Sequence, residues 1–390
     1  MSRYFSHLNT AKKIVEEYKG ETPLAAYLKN FFSKEKKYGS RDRRSIAALC
    51  YNYYRIGHSL NNFSIEDKLL AGLFLTGNQT NDLLADQKPE WNQKMEWPLT
   101  QKLELLKVDA MQIFPYNHSL SDGIDAEAFD SSFLLQPKLF IRIRPGRHSL
   151  VDKKLSEANI PFERLNENCL AFENSTRLDT VIETNKDYVV QDYNSQQTFS
   201  LLSAAFFPPS SLNVWDCCAA SGGKSIMASD ILKNIQLTVS DVRVSILNNL
   251  HQRLKAAGIK NYHSFVADLT QADTIKSRFA GRPFDLVICD APCTGSGTWS
   301  RTPEQLAFFK TSEIDRYSEL QKKIAGNVIA SIRKNGYLVY VTCSVFKKEN
   351  EDVVQFLQDK YAVKLVKMEL FKGYEMQSDT MFAALLQVIA

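Results

Sequence analysis

The sequence lacks the features that would place it in a membrane or in the secretory pathway. No apolar run approaches the roughly 18 residues that a membrane-spanning helix needs. The first seven residues, Met-Ser-Arg-Tyr-Phe-Ser-His, contain no apolar signal-peptide core, and no internal repeat or low-complexity stretch follows. We therefore expect a cytoplasmic protein with no membrane partner.

Cysteine pairs with metal-site spacing are also missing. The seven cysteines include no Cys-x-x-Cys pair, so the pattern predicts neither a zinc site nor a redox dithiol, and no metal is expected. Structural disulfides are not expected in a reducing compartment. Cys50 and Cys169 are interpreted as buried apolar side chains.

The net charge is small, at +4, but it is unevenly distributed along the chain. Residues 1–60 contain 12 Lys and Arg against 5 Asp and Glu, whereas residues 61–130 contain 5 against 12. A basic front segment favours binding to phosphate groups. Two ordinary solvated helix faces would give the same counts, so charge alone does not decide between these interpretations.

The first stretch of the chain, to about residue 130, has helical apolar spacing. The spacing predicts helices from Ala11, from Pro23 and from Ser40, with Ser40 as the N-cap of the third. The polar segment 78–97 contains Pro89 and ends next to Pro98, which predicts a loop. Residues 1–130 are therefore predicted to form a helical domain.

A small α/β unit is predicted over residues 131–195. The run Leu139-Phe-Ile-Arg-Ile-Arg alternates apolar and basic residues, as a half-buried strand does, so Arg142 and Arg144 would face RNA or water. A helix is predicted over 151–159. Short strands are predicted over 162–165, 169–172 and 188–190.

From residue 196 to 390 the pattern changes to alternating strands and helices. The apolar runs lie at 212–215, 237–239, 262–266, 284–289 and 337–341. This alternation predicts an α/β domain with a doubly wound, mostly parallel sheet. Ligands of such sheets bind at the carboxyl ends of the strands, so the residues after each run are the candidates for a site.

The first of these strand ends is followed by Asp216-Cys-Cys-Ala-Ala-Ser-Gly-Gly-Lys-Ser. Small residues and two glycines let the backbone approach a ligand closely. A phosphate-binding P-loop needs a glycine where Cys218 stands, and the dinucleotide fingerprint G-x-G-x-x-G is absent. A methyltransferase loop and an ordinary tight strand–helix turn both remain open.

Acidic residues mark the next two strand ends. Asp241 could accept both ribose hydroxyls of a nucleoside, and Asp268 could receive an adenine amino group. Either acid alone could instead be a helix N-cap. Their succession after the glycine turn favours an adenosine-containing ligand.

The last two strand ends carry thiols. The fourth strand ends in Asp290-Ala-Pro-Cys-Thr-Gly-Ser-Gly-Thr-Trp, which exposes Asp290 and Cys293, and the fifth ends in Val341-Thr-Cys-Ser, which places Cys343 at the same edge. Inert buried cysteines are the alternative. Both cysteines nevertheless lie where active sites form in this architecture.

Together these motifs resemble the Sun (Nop/Sun) family of RNA 5-methylcytosine methyltransferases, most of all the bacterial type that acts on small-subunit ribosomal RNA. The matching stretches are 189–196, 216–225, 290–304 and 341–344, and the likeness covers about residues 133–390. The helical front resembles a NusB-like RNA-binding domain more weakly. Ser221 departs from the family, which has proline at this position, and this predicts a less rigid turn.

The resemblance implies a Rossmann-like methyltransferase domain preceded by an RRM-like unit, with S-adenosylmethionine as cofactor and RNA, most of all ribosomal RNA, as partner. The sequence does not determine the oligomeric state, for which we favour a monomer. The resemblance also implies that Cys343 attacks the base and that Cys293 assists release. The chemistry itself makes Asp290 and Lys224 further catalytic candidates: Asp290 would donate a proton towards N3 of the base or accept a hydrogen bond from its N4 amine, and Lys224 would help electrostatically. The implied cofactor site consists of Cys218, Ala219, Ala220, Ser221, Gly222, Gly223, Lys224, Asp241, Asp268 and Asp290.

The chemistry of cytosine gives a reason for two thiols. C5 of cytosine is a weak nucleophile, and a thiolate added at C6 makes it reactive by covalent catalysis. A silent RNA-binding or assembly protein needs no such thiols, and a methyltransferase for amines or small molecules needs no thiol adduct. Transfer RNA and DNA are alternative substrates for the same chemistry, although the resemblance and the basic front favour RNA.

Overall fold

The computed structural model describes residues 3–202, 211–232, 234–272, 275, 279 and 283–390. The chain divides into two compact units. The first comprises Met1–Leu120, Ile124–Pro137 and Thr298–Lys310, and the second comprises Ser121–Gly123, Lys138–Gly297 and Thr311–Ala390. The domain boundaries expected at residues 130 and 195 stay a prediction, since these units group the chain differently.

The first unit is helical within its described residues. Its apolar core includes Leu8, Ile14, Leu24, Phe74 and Phe114, which are fully buried. The helices are α1 (Arg3–Glu17), α2 (Leu24–Lys34), α3 (Ser40–Arg55), α4 (Ile65–Thr76), α5 (Asp82–Gln87), α6 (Pro89–Asn92), α7 (Leu99–Leu106), α8 (Ala126–Ser132) and α13 (Glu304–Phe308).

Two local predictions in this unit are wrong. Gly39, not Ser40, is the N-cap of α3, and its amide donates to Asp42 Oδ2 at 3.0 Å. The segment predicted as a loop contains α5 and α6, because the Asn81 side chain caps α5 and Pro89 opens α6. Proline is tolerated at the first position of a helix, where its missing N–H has no partner to lose.

A segment that follows the Cys293 loop in sequence, residues 298–310, belongs to the helical unit. The backbone N–H of Leu24 donates to Glu304 Oε1 at 3.0 Å, and the Tyr18 and Phe308 rings meet edge to face with centroids 5.3 Å apart. Gly20 lies so close that a β-carbon there would be 2.5 Å from Phe308 Cγ. The segment is thus an integral part of this unit's packing.

The second unit contains a small antiparallel sheet with strand order β2-β3-β1-β4. Its apolar face packs Ile141, Leu170 and Tyr188 against Val151 and Leu155 of the following helix. The elements are β1 (Leu139–Ile143), α9 (His148–Glu157), β2 (Glu163–Arg164), β3 (Cys169–Phe172), β4 (Tyr188–Val190) and the short helix α10 (Tyr193–Gln197). The predicted strands of this unit are confirmed, with β2 shorter than expected.

The basic residues of β1 do not face RNA or water, and that expectation is wrong. Arg142 Nη1 lies 2.6 Å from Asp230 Oδ2, and Arg144 Nη2 lies 2.7 Å from Asp230 Oδ1. The three side chains are only 7%, 13% and 4% exposed. A buried carboxylate needs such partners to offset its lost hydration.

The large sheet of the second unit has strand order β10-β11-β9-β8-β5-β6-β7 among the described residues. The central strands pair in parallel, while β11 runs antiparallel to both of its neighbours. The elements are β5 (Leu212–Asp216), α11 (Gly223–Ile231), β6 (Ile235–Asp241), α12 (Val244–Ala256), β7 (Tyr262–Val266), β8 (Phe284–Asp290), α14 (Ser312–Ile329), β9 (Ile332–Thr342), α15 (Glu351–Lys360), β10 (Val363–Phe371) and β11 (Met381–Val388).

This arrangement confirms the predicted α/β fold of Rossmann-like type. Apolar layers cover both faces of the sheet, one including Val214 and Val239 and the other including Trp215 and Tyr340. No helix among the described residues combines the length and apolar character needed to cross a bilayer.

Candidate active site

The residues predicted to form the site lie at or just after the carboxyl ends of neighbouring strands, with Asp268 after β7 and the others at the ends of β9, β8, β5 and β6. Because β9, β8, β5 and β6 are adjacent and parallel, their ends meet at one edge of the sheet. This edge of the sheet carries the turn after β5, Asp241 in β6, Asp290 in β8 and Cys343 after β9. The sheet therefore assembles there groups that are far apart in sequence.

The turn after β5 has the backbone shape that the glycines predicted. Gly222 has φ +85°, and a β-carbon there would lie 3.2 Å from Leu250 Cγ. Ala220 also has positive φ, at +45°, and its amide donates to Asp241 Oδ2 at 3.1 Å. A β-carbon on Gly223 would meet nothing within 4 Å, so the first turn of α11 borders open space.

Ser221 is fixed by a side chain from α12. Arg253 Nη1 donates to the Ser221 carbonyl oxygen at 2.9 Å and to its hydroxyl oxygen at 2.6 Å. Arg253 Nε donates to Asn185 Oδ1 at 3.1 Å, which fixes the guanidinium in turn. The arginine thus supplies restraint at the position where the family has proline.

The two acids predicted to bind an adenosine have different surroundings. Asp241 is buried and accepts hydrogen bonds from Ala220 N and from Arg243 N, the latter at 2.9 Å. Asp268 accepts from Thr270 N at 2.9 Å and from Thr270 Oγ1 at 2.7 Å, and these contacts lower its pKa. Asp241 is integrated into the glycine turn, whereas the contacts of Asp268 are those of a local cap.

Lys224 and Asp290 form an ion pair at the centre of this edge. Lys224 Nζ lies 2.8 Å from Asp290 Oδ2, and their side chains are 7% and 32% exposed. Burial alone would lower the pKa of Lys224, but the neighbouring carboxylate of Asp290 outweighs it, so this pKa is raised. The lysine therefore stays cationic, and Asp290 keeps an accessible oxygen.

The two cysteines predicted to carry the chemistry are in contact. Cys293 Sγ and Cys343 Sγ are 3.4 Å apart, and both side chains are partly exposed. The hydrogen bond with Cys343 and burial raise the pKa of Cys293. Lys224 interacts electrostatically with Cys343.

A second thiol cluster was not predicted. The Sγ atoms of Cys217, Cys218 and Cys289 all lie within 4.8 Å of one another. Strand pairing brings them together, since Cys217 N donates to Ile288 O across β5 and β8. Soft metal ions prefer thiol ligands at this spacing. The search for Cys-x-x-Cys pairs missed this cluster because its cysteines come from the ends of two different strands.

Sequence reasoning also missed the buried polar groups next to the loops of Cys293 and Cys343. Glu349 and Gln321 are fully buried and hydrogen-bonded to the residues next to Cys293. In the sequence, Glu349 stands in a Lys-Lys-Glu-Asn-Glu run that is typical of a solvated turn. Only the hydrogen-bond partners of these side chains distinguish them from surface residues.

The large sheet is of the Rossmann-like methyltransferase type. Comparison with known proteins gives a narrower likeness, since residues 205–387 match the family described as 16S rRNA methyltransferase RsmB/F. The matched part of the chain is thus similar to the family that the motifs resemble.

Relatives with assigned names show the same likeness. A probable ribosomal RNA small subunit methyltransferase B of Bacillus subtilis (strain 168) is 29% identical over 256 residues, which cover 62% of this chain and 55% of the relative. A mouse 28S rRNA (cytosine-C(5))-methyltransferase is 32% identical over 206 residues, 48% of this chain and 24% of the relative. The chain thus spans about half or less of the length of these relatives.

Solved structures share the fold. The crystal structure of PH0851 matches with a TM-score of 0.71 at 19% identity, over 99% of each chain. The structure of NSun6 from Pyrococcus horikoshii with SFG matches with a TM-score of 0.54 at 17% identity, over 65% of this chain and 91% of that one. At these identities the likeness supports the fold alone.

Proposed function

We propose that this protein transfers a methyl group from S-adenosylmethionine to C5 of a cytosine in RNA, through a covalent adduct between Cys343 and C6 of the base. The observation that carries the proposal is the 3.4 Å contact between Cys293 and Cys343 beside the Lys224–Asp290 ion pair. Amine or oxygen methylation gives no role to two adjacent thiols, whereas cytosine C5 methylation does.

The residues of the glycine turn fit S-adenosylmethionine, which supplies an activated methyl group when bound. The open space in front of Gly223 and the positive φ of Gly222 would admit the ligand close to the backbone. The Asp241 carboxylate, held by Ala220 N, would accept the ribose hydroxyls. Asp268 remains our proposed contact for the adenine amino group.

Cys343 is the proposed nucleophile. Its thiolate would add to C6 and raise the electron density at C5, which then takes the methyl group. Lys224 interacts electrostatically with Cys343, so its ammonium group lies within reach of the charge that develops during the reaction. A base, for which the Cys293 sulfur in contact with Cys343 or a water molecule would serve, would then take the C5 proton. The electrons of that C–H bond restore the C5–C6 double bond and expel Cys343 as thiolate, and Cys293 would assist this release.

Asp290 would recognise the base. Its accessible carboxylate oxygen would accept a hydrogen bond from the exocyclic N4 amine, which cytosine has and uracil lacks. Lys224 would hold this carboxylate in place through their 2.8 Å contact. The same pair would thus orient the base and select cytosine.

Ribosomal RNA is the proposed substrate, from the names of the relatives and from the basic first 60 residues. The four-stranded sheet supports an RRM-like role for the small unit, and the helical unit is the proposed NusB-like RNA-binding domain. The reacting base has to leave its stack, which favours a loop or bulge. A monomer in the cytoplasm stays our expectation.

The test compares total RNA from cells with and without this gene by bisulfite sequencing. We expect one or a few cytosines in ribosomal RNA to lose their protection from bisulfite conversion in the absence of the gene. Loss of protection only in transfer RNA would make transfer RNA the substrate. Unchanged protection in all RNA would refute the proposed function. Transfer of labelled methyl groups from S-adenosylmethionine to purified RNA, with protein as the alternative acceptor, checks the activity directly.

A further inference from the structure

Glu349 is buried behind the two reactive cysteines and hydrogen-bonds to the loops that carry both of them. The side chain has no exposed surface. Its Oε1 accepts from Thr294 Oγ1 at 2.6 Å and from Ser344 Oγ at 2.7 Å. Thr294 follows Cys293 and Ser344 follows Cys343, so one carboxylate oxygen connects the two loops.

The second carboxylate oxygen fixes the Cys293 loop from both sides. Glu349 Oε2 accepts from Thr294 N at 2.9 Å and from Gln321 Nε2 at 2.8 Å. Gln321 Nε2 also donates to the carbonyl oxygen of Pro292 at 2.9 Å. The residues immediately before and after Cys293 are therefore anchored to one buried pair, Glu349 and Gln321.

Other contacts also join the two loops. Gly297 N donates to Cys343 O at 2.8 Å, and Val345 N donates to Ser296 Oγ at 2.9 Å. Ser344 Oγ lies 3.3 Å from both Ser296 Oγ and Thr294 Oγ1. None of these contacts reaches Pro292 and Thr294 on both sides of Cys293, as Glu349 does together with Gln321.

Burial raises the pKa of Glu349, while its hydrogen bonds oppose that rise. Burial of an acid costs desolvation free energy, and an apolar residue could fill the same space without that cost. Stability alone therefore does not explain an acid at this position.

We propose that Glu349 is a positioning residue for the reaction, which holds the Cys293 and Cys343 thiols in contact so that adduct formation and release occur at one base. This inference rests on the proposed function, because it assigns a purpose to the contact between the two thiols. Among the described contacts Glu349 makes no hydrogen bond to either thiol and positions them through Thr294, Ser344 and Gln321. Its charge also acts on Cys293 and helps to raise the pKa of that thiol, an effect that the glutamine variant removes.

Two substitutions separate hydrogen bonding from charge. Glu349→Ala removes every acceptor and leaves Thr294 N and Gln321 without their partner. Glu349→Gln keeps the shape, since its oxygen can accept from those two N–H donors while its amide donates to the hydroxyls of Thr294 and Ser344, which can rotate to accept. Glutamine should therefore rescue the geometry, although it carries no charge.

Glu351→Ala is the matched control. Glu351 lies two residues further along the chain, is partly buried, and accepts from Ser121 Oγ at 3.0 Å. None of its hydrogen bonds reaches a cysteine loop among the described contacts. A general effect of removing a carboxylate from this region would appear equally in this variant.

The first readout needs neither RNA nor S-adenosylmethionine. The folded full-length protein is treated with diamide, which takes up the two electrons and two protons released as the Cys293–Cys343 disulfide forms, and the linked peptides are quantified by mass spectrometry. We expect Glu349→Ala to slow this disulfide at least tenfold, and Glu349→Gln and Glu351→Ala to stay within about twofold of the wild type. The melting temperature and S-adenosylmethionine affinity serve as checks on folding.

The second readout is methylation itself. Glu349→Ala should lower turnover at least tenfold with KM for RNA nearly unchanged, and Glu349→Gln should recover most of the rate. A wild-type rate of disulfide formation in Glu349→Ala would overturn the inference, as would a loss of methylation that Glu349→Gln fails to rescue.

If Glu349→Ala does not fold, Thr294→Val replaces it as the test. This variant should slow disulfide formation about threefold, and a wild-type rate would also overturn the inference. A wild type that cross-links but methylates no RNA would refute the proposed function alone.

Discussion

Lys224 at the start of α11 and Asp290 at the end of β8 are joined by a 2.8 Å ion pair across the edge of the large sheet. The pair connects the proposed cofactor turn with the loop of Cys293. A change on either side is therefore expected to affect both binding and chemistry.

Asp290→Asn should impair catalysis and weaken the choice of cytosine. Asparagine can turn its amide towards O4 of uracil, and it loses the ionic contact with Lys224. We expect the preference for cytosine over uridine in matched RNA oligonucleotides to fall by about 1–3 kcal/mol, the range for a good base contact. Asp285→Asn at the opposite end of β8 is the control, and an unchanged preference in Asp290→Asn would remove the base contact.

The two cysteines should fail differently. Cys343→Ala should abolish both methylation and any covalent protein–RNA complex, because it removes the proposed nucleophile. Cys293→Ala should still transfer the methyl group and then stall with RNA attached. Denaturing gels would show a shifted band only for Cys293→Ala, whereas a band for Cys343→Ala alone would reverse the two roles. No band in either variant would argue against the adduct.

Asp241→Ala should weaken S-adenosylmethionine binding by about 1.5–3 kcal/mol, the range for hydrogen bonds to a charged group. The loss should exceed that of Asp268→Ala, because Asp241 also holds Ala220 N in the turn, while Asp268 contacts Thr270 locally. Isothermal titration calorimetry measures both affinities. Equal affinities for wild type and Asp241→Ala would contradict the cofactor assignment, and a larger loss in Asp268→Ala would move the main contact to that acid.

Restraint of the glycine turn by Arg253 can be tested separately. Arg253→Met removes the donors to both the carbonyl and the hydroxyl of Ser221, whereas Ser221→Ala removes only the hydroxyl contact. We expect S-adenosylmethionine affinity to fall about tenfold in Arg253→Met and about threefold or less in Ser221→Ala, from the worth of one or two such hydrogen bonds. The opposite order in calorimetry would show that Arg253 does not order the turn.

Asp230 should matter for stability. Its carboxylate is 4% exposed and pairs with Arg142 and Arg144, so Asp230→Ala would remove the carboxylate that both guanidinium groups pair with and leave them only neutral acceptors. Breaking a buried pair costs about 3–5 kcal/mol. The free energy of unfolding in urea should fall by that amount, while Glu157→Ala, in an exposed pair with Lys153, should change it by less than about 1 kcal/mol.

Much of the large sheet could be predicted from the sequence because its central strands are buried on both faces and appear as apolar runs. The strand β10 could not, since its nine residues Val363–Phe371 are mostly exposed or half-buried and interrupted by charges. The parallel order then brings strand ends together, which is why Cys293 and Cys343 could be expected at one edge. Their 3.4 Å contact depends on loop structure and is not encoded in any spacing.

The burial of polar residues was harder to predict, because the residue type alone does not show whether a charged side chain lies on the surface or in the core. Arg142 alternates with apolar neighbours as a solvent-facing residue would, yet its partner Asp230 lies 88 residues away. Glu349 is hidden for the same reason, since its donors come from three separate segments. Long-range pairing of polar groups is information that only the folded chain provides.

The segment 298–310 has a consequence for the order in which the chain folds during synthesis. Glu304 and Phe308 complete the packing of a helical unit whose other residues end at Pro137. At about 5–20 residues per second, a ribosome needs roughly 10–35 s to extend the chain from that point to Lys310. Until then the nascent helical unit leaves the side of Tyr18 and Gly20 uncovered, so its final packing has to wait until most of the second unit has been translated.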